Sequence, residues 1–593
     1  MKHTFVAALP VLPVAFVALF FLLNQMYFSF FHTNLTLAAL GLARTAIDAT
    51  SSITELVNTT NLSVLLVAPI AIQIAVLRAL RGGASARPIS AGVALFCAGL
   101  VLAGLAAATR HPVFVFADHN PAMSLGRQVG ASIWDGLICD DDDEGRLERL
   151  SGDVLSLFNR EAYTGYELAG DPDHPLLQRA AEGESPSVPP LNVVIILMES
   201  MRGFEMQGDF RELPVTPALN ALEAQSLVFP TFYYNGMTTV DAEFAILCSA
   251  LPLVDSVPIY IQNHELRIRC LPEILRERGY STHWVSAYRA SYANKRRFLE
   301  RHGVSQIHDQ KTMDPRRIRH PRVGWGMGDV DMFEQAIEKI DGFQEPFFAE
   351  IMTLSNHHPF SHDYDLAFPE AMDEVRGNQH YRDHLKGMYY TDHAVGRFLE
   401  DARTRPWFGR TLFVILGDHA VRAYPPPKRG VTLGPVLESE IYFRGHLILY
   451  APGHLAPGTR DVLGSQIDVA PTILDILGVR TDNSFLGVSL LSELAPDRRF
   501  ALMTIGHVWN MRIGNHYCYS VGYSCFEKVF PRCGEGVKPT FEGHTCFELP
   551  GDLLATAGGR PQRSLDALER FRVLDRAERI IDINRLLIEQ DRF

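Results

Sequence analysis

Positive charge is in short supply. The 593-residue chain has 55 Lys and Arg against 68 Asp and Glu, a net charge of −13. That balance argues against nucleic acid as a main partner, which would require a basic face. Internal repeats and long low-complexity runs are absent, which excludes solenoid and tail-like designs. Cysteines are few, 8 in all, and none stand in the paired C-x-x-C spacing of a zinc module. Hydrophobic residues make up 47% and charged residues 21%, enough to bury a core over most of the length.

Apolar residues are concentrated in the first 110 positions. Phe5–Phe31, Leu62–Leu77 and Ile89–Ala108 read as bilayer spans, which need ~20 mostly apolar residues. Asn34–Ile47 is too short to count as a fourth. Lys2 precedes the first span, and Arg78, Arg81 and Arg87 fill the link between the second and third. Positive residues favour the cytoplasm, so three spans place everything after Arg110 in the periplasm or exterior. This predicts a multi-pass (inner) membrane protein. Six of the cysteines, Cys248, Cys270, Cys518, Cys525, Cys533 and Cys546, fall on the outer side, where disulfides form. Cys248 with Cys270 is the first pairing to expect from their nearness, and the other four leave several connectivities open.

Beyond the spans, 111–190 reads as a connector that ends in the Pro/Ser-rich Gly183–Asn192. The acidic run Asp140–Glu144 reads as a solvated linker or helix start. From 191 to 497 buried-strand patterns alternate with helical ones: LNVVIILMES, CLPEILRERGYSTHWVSA, PFFAEIMTLSNHHPF, YYTDHAVGRFLEDARTR, RTLFVILGDHA and SQIDVAPTILDILG. Such alternation predicts an α/β domain with a mostly parallel central sheet flanked by helices, whose sites gather at strand carboxyl ends. Residues 498–593 show strand-like alternation and then an amphipathic helix over Ser564–Leu587, expected to form a C-terminal subdomain with a small antiparallel sheet.

The strand ends carry the chemistry: Glu199 and Ser200, Thr238 and Thr239, His357 and His358, Asp418 and His419. Two carboxylates and an imidazole suit a divalent metal. A threonine oxygen beside such a metal becomes a usable nucleophile. In NGMTTVDAEF either threonine could also simply cap the following helix. Asp392 and Asp468 read as residues that cap or pack helices. Trp325 and Asp329 in GWGMGD read as structural.

These motifs together resemble the alkaline phosphatase/sulfatase superfamily. Within it they resemble the membrane phosphoglycerol transferases of the lipoteichoic acid synthase type. NVVIILMES, GMTTVDAEF, GWGMGDVDMFEQA, TLSNHHPF, LGDHA and SQIDVAPTILDILG stand in family order over roughly 190–495. The resemblance implies Glu199, Thr239, Asp418 and His419 as metal ligands, with Mn²⁺ expected and Mg²⁺ or Zn²⁺ as alternatives. It implies Thr239, two residues before Asp-x-Glu-Phe, as the nucleophile, and His357 as a contact to the phosphoglycerol group. The donor it implies is phosphatidylglycerol, and the acceptor a glycan or a growing glycerophosphate chain. One element departs from the pattern. Where the family carries Phe-Trp-Asn-Arg, this chain reads Tyr292, Ala293, Asn294, Lys295, so a point charge replaces a forked donor. Lys295, Asn294 and Arg289 are the expected substrate contacts there, with Arg296 as a substitute cation. This variant element looks more like that of transferases that decorate periplasmic glucans. The rival readings are a phosphoethanolamine transferase, a sulfatase-like hydrolase and a non-catalytic sensor or scaffold. The chain has no Cys/Ser-x-Pro-x-Arg stretch to make formylglycine, which weighs against the hydrolase.

Overall fold

In the computed structural model the described residues are 157–159, 165–171, 173–181, 190–207, 215–254, 258–319, 326–360, 362–375, 379–419, 442–505, 508–520, 544–549 and 563–593. The three expected spans, Asp140–Glu144, Trp325, Cys525 and Cys533 lie outside them. Among the described residues no helix is long and apolar enough to cross a membrane.

Ahead of the central sheet the described residues form a hairpin of β1 (Tyr166–Leu168) and β2 (Gln178–Ala180). A central sheet follows, built from β3 (Asn192–Met198), β4 (Leu227–Tyr233), β5 (Ser281–Ser286), β6 (Gln306–His308), β7 (Phe347–Met352), β8 (Thr411–Gly417), β9 (Arg444–Tyr450), β10 (Gly458–Thr459) and β11 (Gly464–Ser465). Its order is β10-β4-β9-β8-β3-β7-β5-β6, with β11 also on β4. The runs NVVIILM, FFAEIM and TLFVILG are buried along their whole length. A strand covered by helices on both faces has no polar side to alternate with.

All neighbouring strands run parallel except β9, which is antiparallel to both β4 and β8. The sheet is therefore mostly parallel, as expected, and is made mixed by β9 alone. A parallel pair needs a long crossover, and the hydrophobic pattern of a buried strand has no direction in it. The sequence reading had no handle on the sense of β9.

The helices that position the site are α1 (Pro217–Glu223), α2 (Thr239–Cys248), α3 (Lys295–Arg301), α4 (Asp329–Ile340), α5 (Gln379–Ala402) and α6 (Val469–Ile476). One buried cluster joins β3, β7 and β8 to α4 and α5 through residues such as Ile196, Phe333, Leu385, Phe398 and Ile415. Asp392 of α5 accepts the backbone N–H groups of Ala218 (2.8 Å) and Leu219 (2.9 Å) at the start of α1. Asp468 closes a capping box with Ser465 before α6 and also accepts Val488 N–H at 2.7 Å. Both are helix-capping carboxylates.

After residue 499 a second sheet of β12 (Phe500–Ile505), β13 (Val508–Ile513), β14 (His516–Ser520), β15 (His544–Glu548) and β16 (Arg563–Ser564) runs antiparallel throughout. Helix α7 (Ala567–Glu589) follows, capped by Asp566. Among the described residues two disulfides are formed, Cys248–Cys270 and Cys518–Cys546. The second joins directly paired positions of β14 and β15.

Candidate metal and nucleophile site

Parallel strands β3 and β8 end side by side, Met198 opposite Gly417. The residues just past those ends, Glu199 on one and Asp418 and His419 on the other, therefore meet. One ligand atom from each lies within 4.8 Å of the others. Backbone hydrogen bonds fix the arrangement. Asp418 N–H donates to Met198 O (3.0 Å). Glu199 N–H donates to Thr353 Oγ1 (2.9 Å), and Ser200 N–H to Asp418 Oδ1 (2.8 Å). His419 N–H donates to the same Oδ1 at 2.6 Å. Ser200 takes a left-handed backbone, φ +55°, a strained conformation for a non-glycine residue. That turn directs the chain away while leaving the Glu199 carboxyl in the cluster. Gly417 has no room for a side chain: a Cβ there would collide with Tyr234 Oη and Met201 O.

Glu199 and Asp418 are almost wholly buried, and His419 is partly so. Burial drives the Asp418 carboxyl up to about 6, with repulsion from Glu199 adding to it. Burial also raises Glu199, against the opposing pull of His419 and the Ser200 hydroxyl. Glu199 Oε2 and Asp418 Oδ2 accept no hydrogen bond from the described residues. Buried carboxylate oxygens without donors are costly unless a cation satisfies them. Two carboxylates and one imidazole nitrogen fit a divalent ion such as Mn²⁺, Mg²⁺ or Zn²⁺.

Thr239 is the first residue of α2 and is half-buried. Thr238 is the N-cap: its Oγ1 accepts Asp241 N–H and donates to Asp241 Oδ2 at 2.6 Å. The loop before them is tied to the Asp418 strand end by one side chain. Gln466 Oε1 accepts Asn235 N–H (2.9 Å), and Gln466 Nε2 donates to Asp418 O (2.6 Å). Asn235 Oδ1 in turn accepts Ile467 N–H (3.1 Å). His419 also acts electrostatically on Asp241, in the first turn of α2. The start of this helix is thus held at the carboxyl edge of the sheet, on the side of the metal-type cluster.

Residues 191–479 match the protein-family model described as Sulfatase. This region is a domain of the alkaline phosphatase/sulfatase superfamily. Within this superfamily the chain is similar to lipoteichoic acid synthase 2 of Bacillus subtilis, 25% identical over 316 residues, 51% of this chain and 47% of that one. It is 24% identical over 317 residues to lipoteichoic acid synthase of Staphylococcus aureus, 51% of this chain and 48% of that one. The chain thus spans about half the length of the curated relatives it matches, 47% in the first case. In fold it is similar to an alkaline phosphatase superfamily protein from Vibrio parahaemolyticus, with a TM-score of 0.57 and 21% identity over 74% of this chain and 97% of that one. The lipoteichoic acid synthase LtaP of Listeria monocytogenes gives a TM-score of 0.55 and 17% identity over the same shares, 74% and 97%.

The remaining expected contacts fall in different places within this superfamily fold. His357 follows β7 and feels both His419 and Asp418 electrostatically. Burial holds it down at about 4, so it is neutral near pH 7. Its Nδ1 donates to His358 O at 2.7 Å, leaving the lone pair on Nε2. Such a ring suits a hydroxyl donor better than a bare phosphate oxygen. Lys295, expected to line the pocket, is instead 4% exposed and points inward to Glu243 at 2.8 Å. Asn294 turns its amide to Ile261 O at 3.4 Å. Arg296 pairs with Asp309 (3.2 Å) and Glu300 (3.1 Å). Arg289 is exposed on the turn after β5.

Asp329 is structural, as expected: it accepts Leu354 N–H at 2.7 Å and the Ser355 N–H, and so shapes the loop that carries His357. Thr353, Asn356 and Gln466 stand inside the sequence motifs, yet no local feature of the sequence marks a role for them. Asn356 Nδ2 donates to both Glu199 O and Ser200 O at 3.1 Å. Nothing in their local spacing marks them, because their partners lie 48 to 231 residues away.

Proposed function

We propose that this chain is a membrane-anchored, metal-dependent phosphoglycerol transferase that takes glycerophosphate from phosphatidylglycerol. Thr239 Oγ1 attacks the lipid phosphorus, the diacylglycerol oxygen leaves with a proton, and glycerophosphate remains ester-linked to Thr239. A hydroxyl of a glycan or polyglycerophosphate acceptor then attacks that phosphorus, loses its proton and restores Thr239. Glu199, Asp418 and His419, with Thr239 Oγ1, would hold a divalent cation that favours the alkoxide and offsets charge on the phosphoryl oxygens. His357, neutral and with Nε2 as acceptor, orients a glycerol hydroxyl. The N-terminal spans keep the catalytic domain at the outer membrane surface, beside a donor that stays in the bilayer.

The observation that supports this reading most is the pair of buried oxygens, Glu199 Oε2 and Asp418 Oδ2, that accept no hydrogen bond among the described residues and converge with His419 beside the loop that leads to Thr239. The similarity to lipoteichoic acid synthases supports the choice of phosphoglycerol over other transferred groups. The Asp-Ala-Glu-Phe context after Thr239 points the same way, against phosphoethanolamine. The test is turnover of fluorescent phosphatidylglycerol by the full-length protein in detergent, with Mn²⁺ or with chelator. Metal-dependent release of fluorescent diacylglycerol is expected. Release that survives chelation, or turnover of phosphatidylethanolamine alone, would refute the reading.

A further inference from the structure

Glu243 lies four residues after Thr239 in α2 and therefore on the same face of the helix. It is fully buried. Its carboxylate accepts Trp284 Nε1–H of β5 at 3.0 Å and pairs with the Lys295 ammonium at 2.8 Å. Lys295 opens α3, sits over the Trp284 ring at 5.1 Å and lies 3.3 Å from Met352 Sδ at the end of β7. Two consecutive non-glycine residues in left-handed conformation, Ala293 (φ +50°) and Asn294 (φ +60°), deliver it there. Strain of that kind persists only where surrounding contacts hold it.

A second acid completes the group. Glu350 is the cross-strand neighbour of Trp284, fully buried, with neither oxygen hydrogen-bonded among the described residues. Tyr260 Oη, also buried without a hydrogen-bond partner among them, is in electrostatic reach of both glutamates and of Asp241. Asp418 acts on Glu243 from the metal-type site, and Lys295 acts on Glu199. Two carboxylates and one ammonium in a dry interior leave one negative charge uncompensated, which is costly. Burial and the proximity of Glu243 push the Glu350 carboxyl well above its usual range, the direction that relieves this cost.

We propose that Glu243 is a positioning residue for Thr239: its ion pair with Lys295, backed by Trp284 and Glu350, locks the first turns of α2 against strands β5 and β7. The inference rests on Thr239 as nucleophile. It gives the Lys of the variant Tyr-Ala-Asn-Lys element a task away from the substrate. A buried, desolvated pair fixes geometry more tightly than an exposed one, and attack at phosphorus needs Oγ1 placed to a fraction of an ångström.

The test uses the full-length protein in detergent with Mn²⁺ and a chromogenic diaryl phosphodiester, which reports attack at phosphorus whatever lipid is the donor. Glu243→Gln and Lys295→Met are expected to lower kcat by about 10²-fold, the cost of a displacement of roughly 1 Å. KM should stay within about threefold, since binding contacts are untouched. The double variant should lose no more than the worse single one, because both remove one contact. Lys295→Arg should recover about tenfold over Lys295→Met, since charge and reach are retained. That comparison carries the test if Glu243→Gln does not fold. Folded Glu243→Gln with wild-type kcat, a double loss equal to the product of the single losses, or no recovery with Arg would overturn the proposal. Wild-type protein that cleaves the diester but leaves phosphatidylglycerol intact would overturn the donor assignment and leave the positioning intact. Thr239→Ala with wild-type cleavage would overturn both.

Discussion

Thr238 and Thr239 are adjacent and chemically alike, yet the backbone separates them. Thr238 is extended, at φ −129° and ψ 151°, and caps α2. Thr239 is already helical, and its hydroxyl is not used as the cap. Replacing each with alanine should therefore give opposite phenotypes. Thr238→Ala should cost about 1 kcal/mol of stability, the usual value of a lost N-cap, and lower the melting temperature while leaving kcat within a few-fold. Thr239→Ala should leave the melting temperature of the metal-free protein near wild type and cut turnover by roughly 10⁴-fold or more, the scale of a lost nucleophile. Thermal melts and diacylglycerol release on the same two preparations check both. The proposed metal ligands invite a parallel measurement. A divalent ion at a hundred times its Kd should add about 2.7 kcal/mol to the wild-type domain. It should add nothing to a Glu199→Ala/Asp418→Ala variant. Calorimetric scans with and without Mn²⁺ read this without reference to activity.

At the scale of elements, the apolar runs behind Glu199 and Asp418 were plain in the sequence because a doubly buried strand has no polar positions. Their ends were plain too, because hydrophobic residues stop where Glu199 and Asp418 begin. The sense of β9 was hidden, and so was the inward turn of Lys295. Both depend on partners far along the chain, β4 in one case and Glu243 in the other. Asp392 was legible as a helix-capping residue, but its burial was not. It is pushed up to about 7. A carboxyl with a folded pKa above its unfolded value holds its proton longer in the native state. Its contribution to stability is therefore fullest at acid pH and is lost as pH rises through about 7. The stability gap between wild type and Asp392→Asn should accordingly narrow from about pH 5 to about pH 8. Urea melts of both proteins at those two pH values, in chelator, would show a constant or widening gap if the Asp392 carboxyl were ionised throughout.

For the molecule as a whole, two disulfides among the described residues cross-link the fold. Cys248–Cys270 clips the end of α2 to the start of the helix Leu271–Glu277, and Cys518–Cys546 staples two strands of the C-terminal sheet. Nearness along the chain was enough to anticipate the first; the second, 28 residues apart with two further cysteines between, required the strand register. Replacing Cys248 and Cys270 together by alanine should cost about 2–4 kcal/mol, the usual contribution of a disulfide, and a denaturant titration would measure it. The account depends above all on covalent chemistry at one hydroxyl. The most direct measurement is peptide mass spectrometry of the full-length protein after incubation with phosphatidylglycerol and Mn²⁺ and without acceptor. The account predicts a glycerophosphate ester on Thr239. A protein that releases diacylglycerol while Thr239 stays unmodified, or that carries the adduct on another residue, would contradict it.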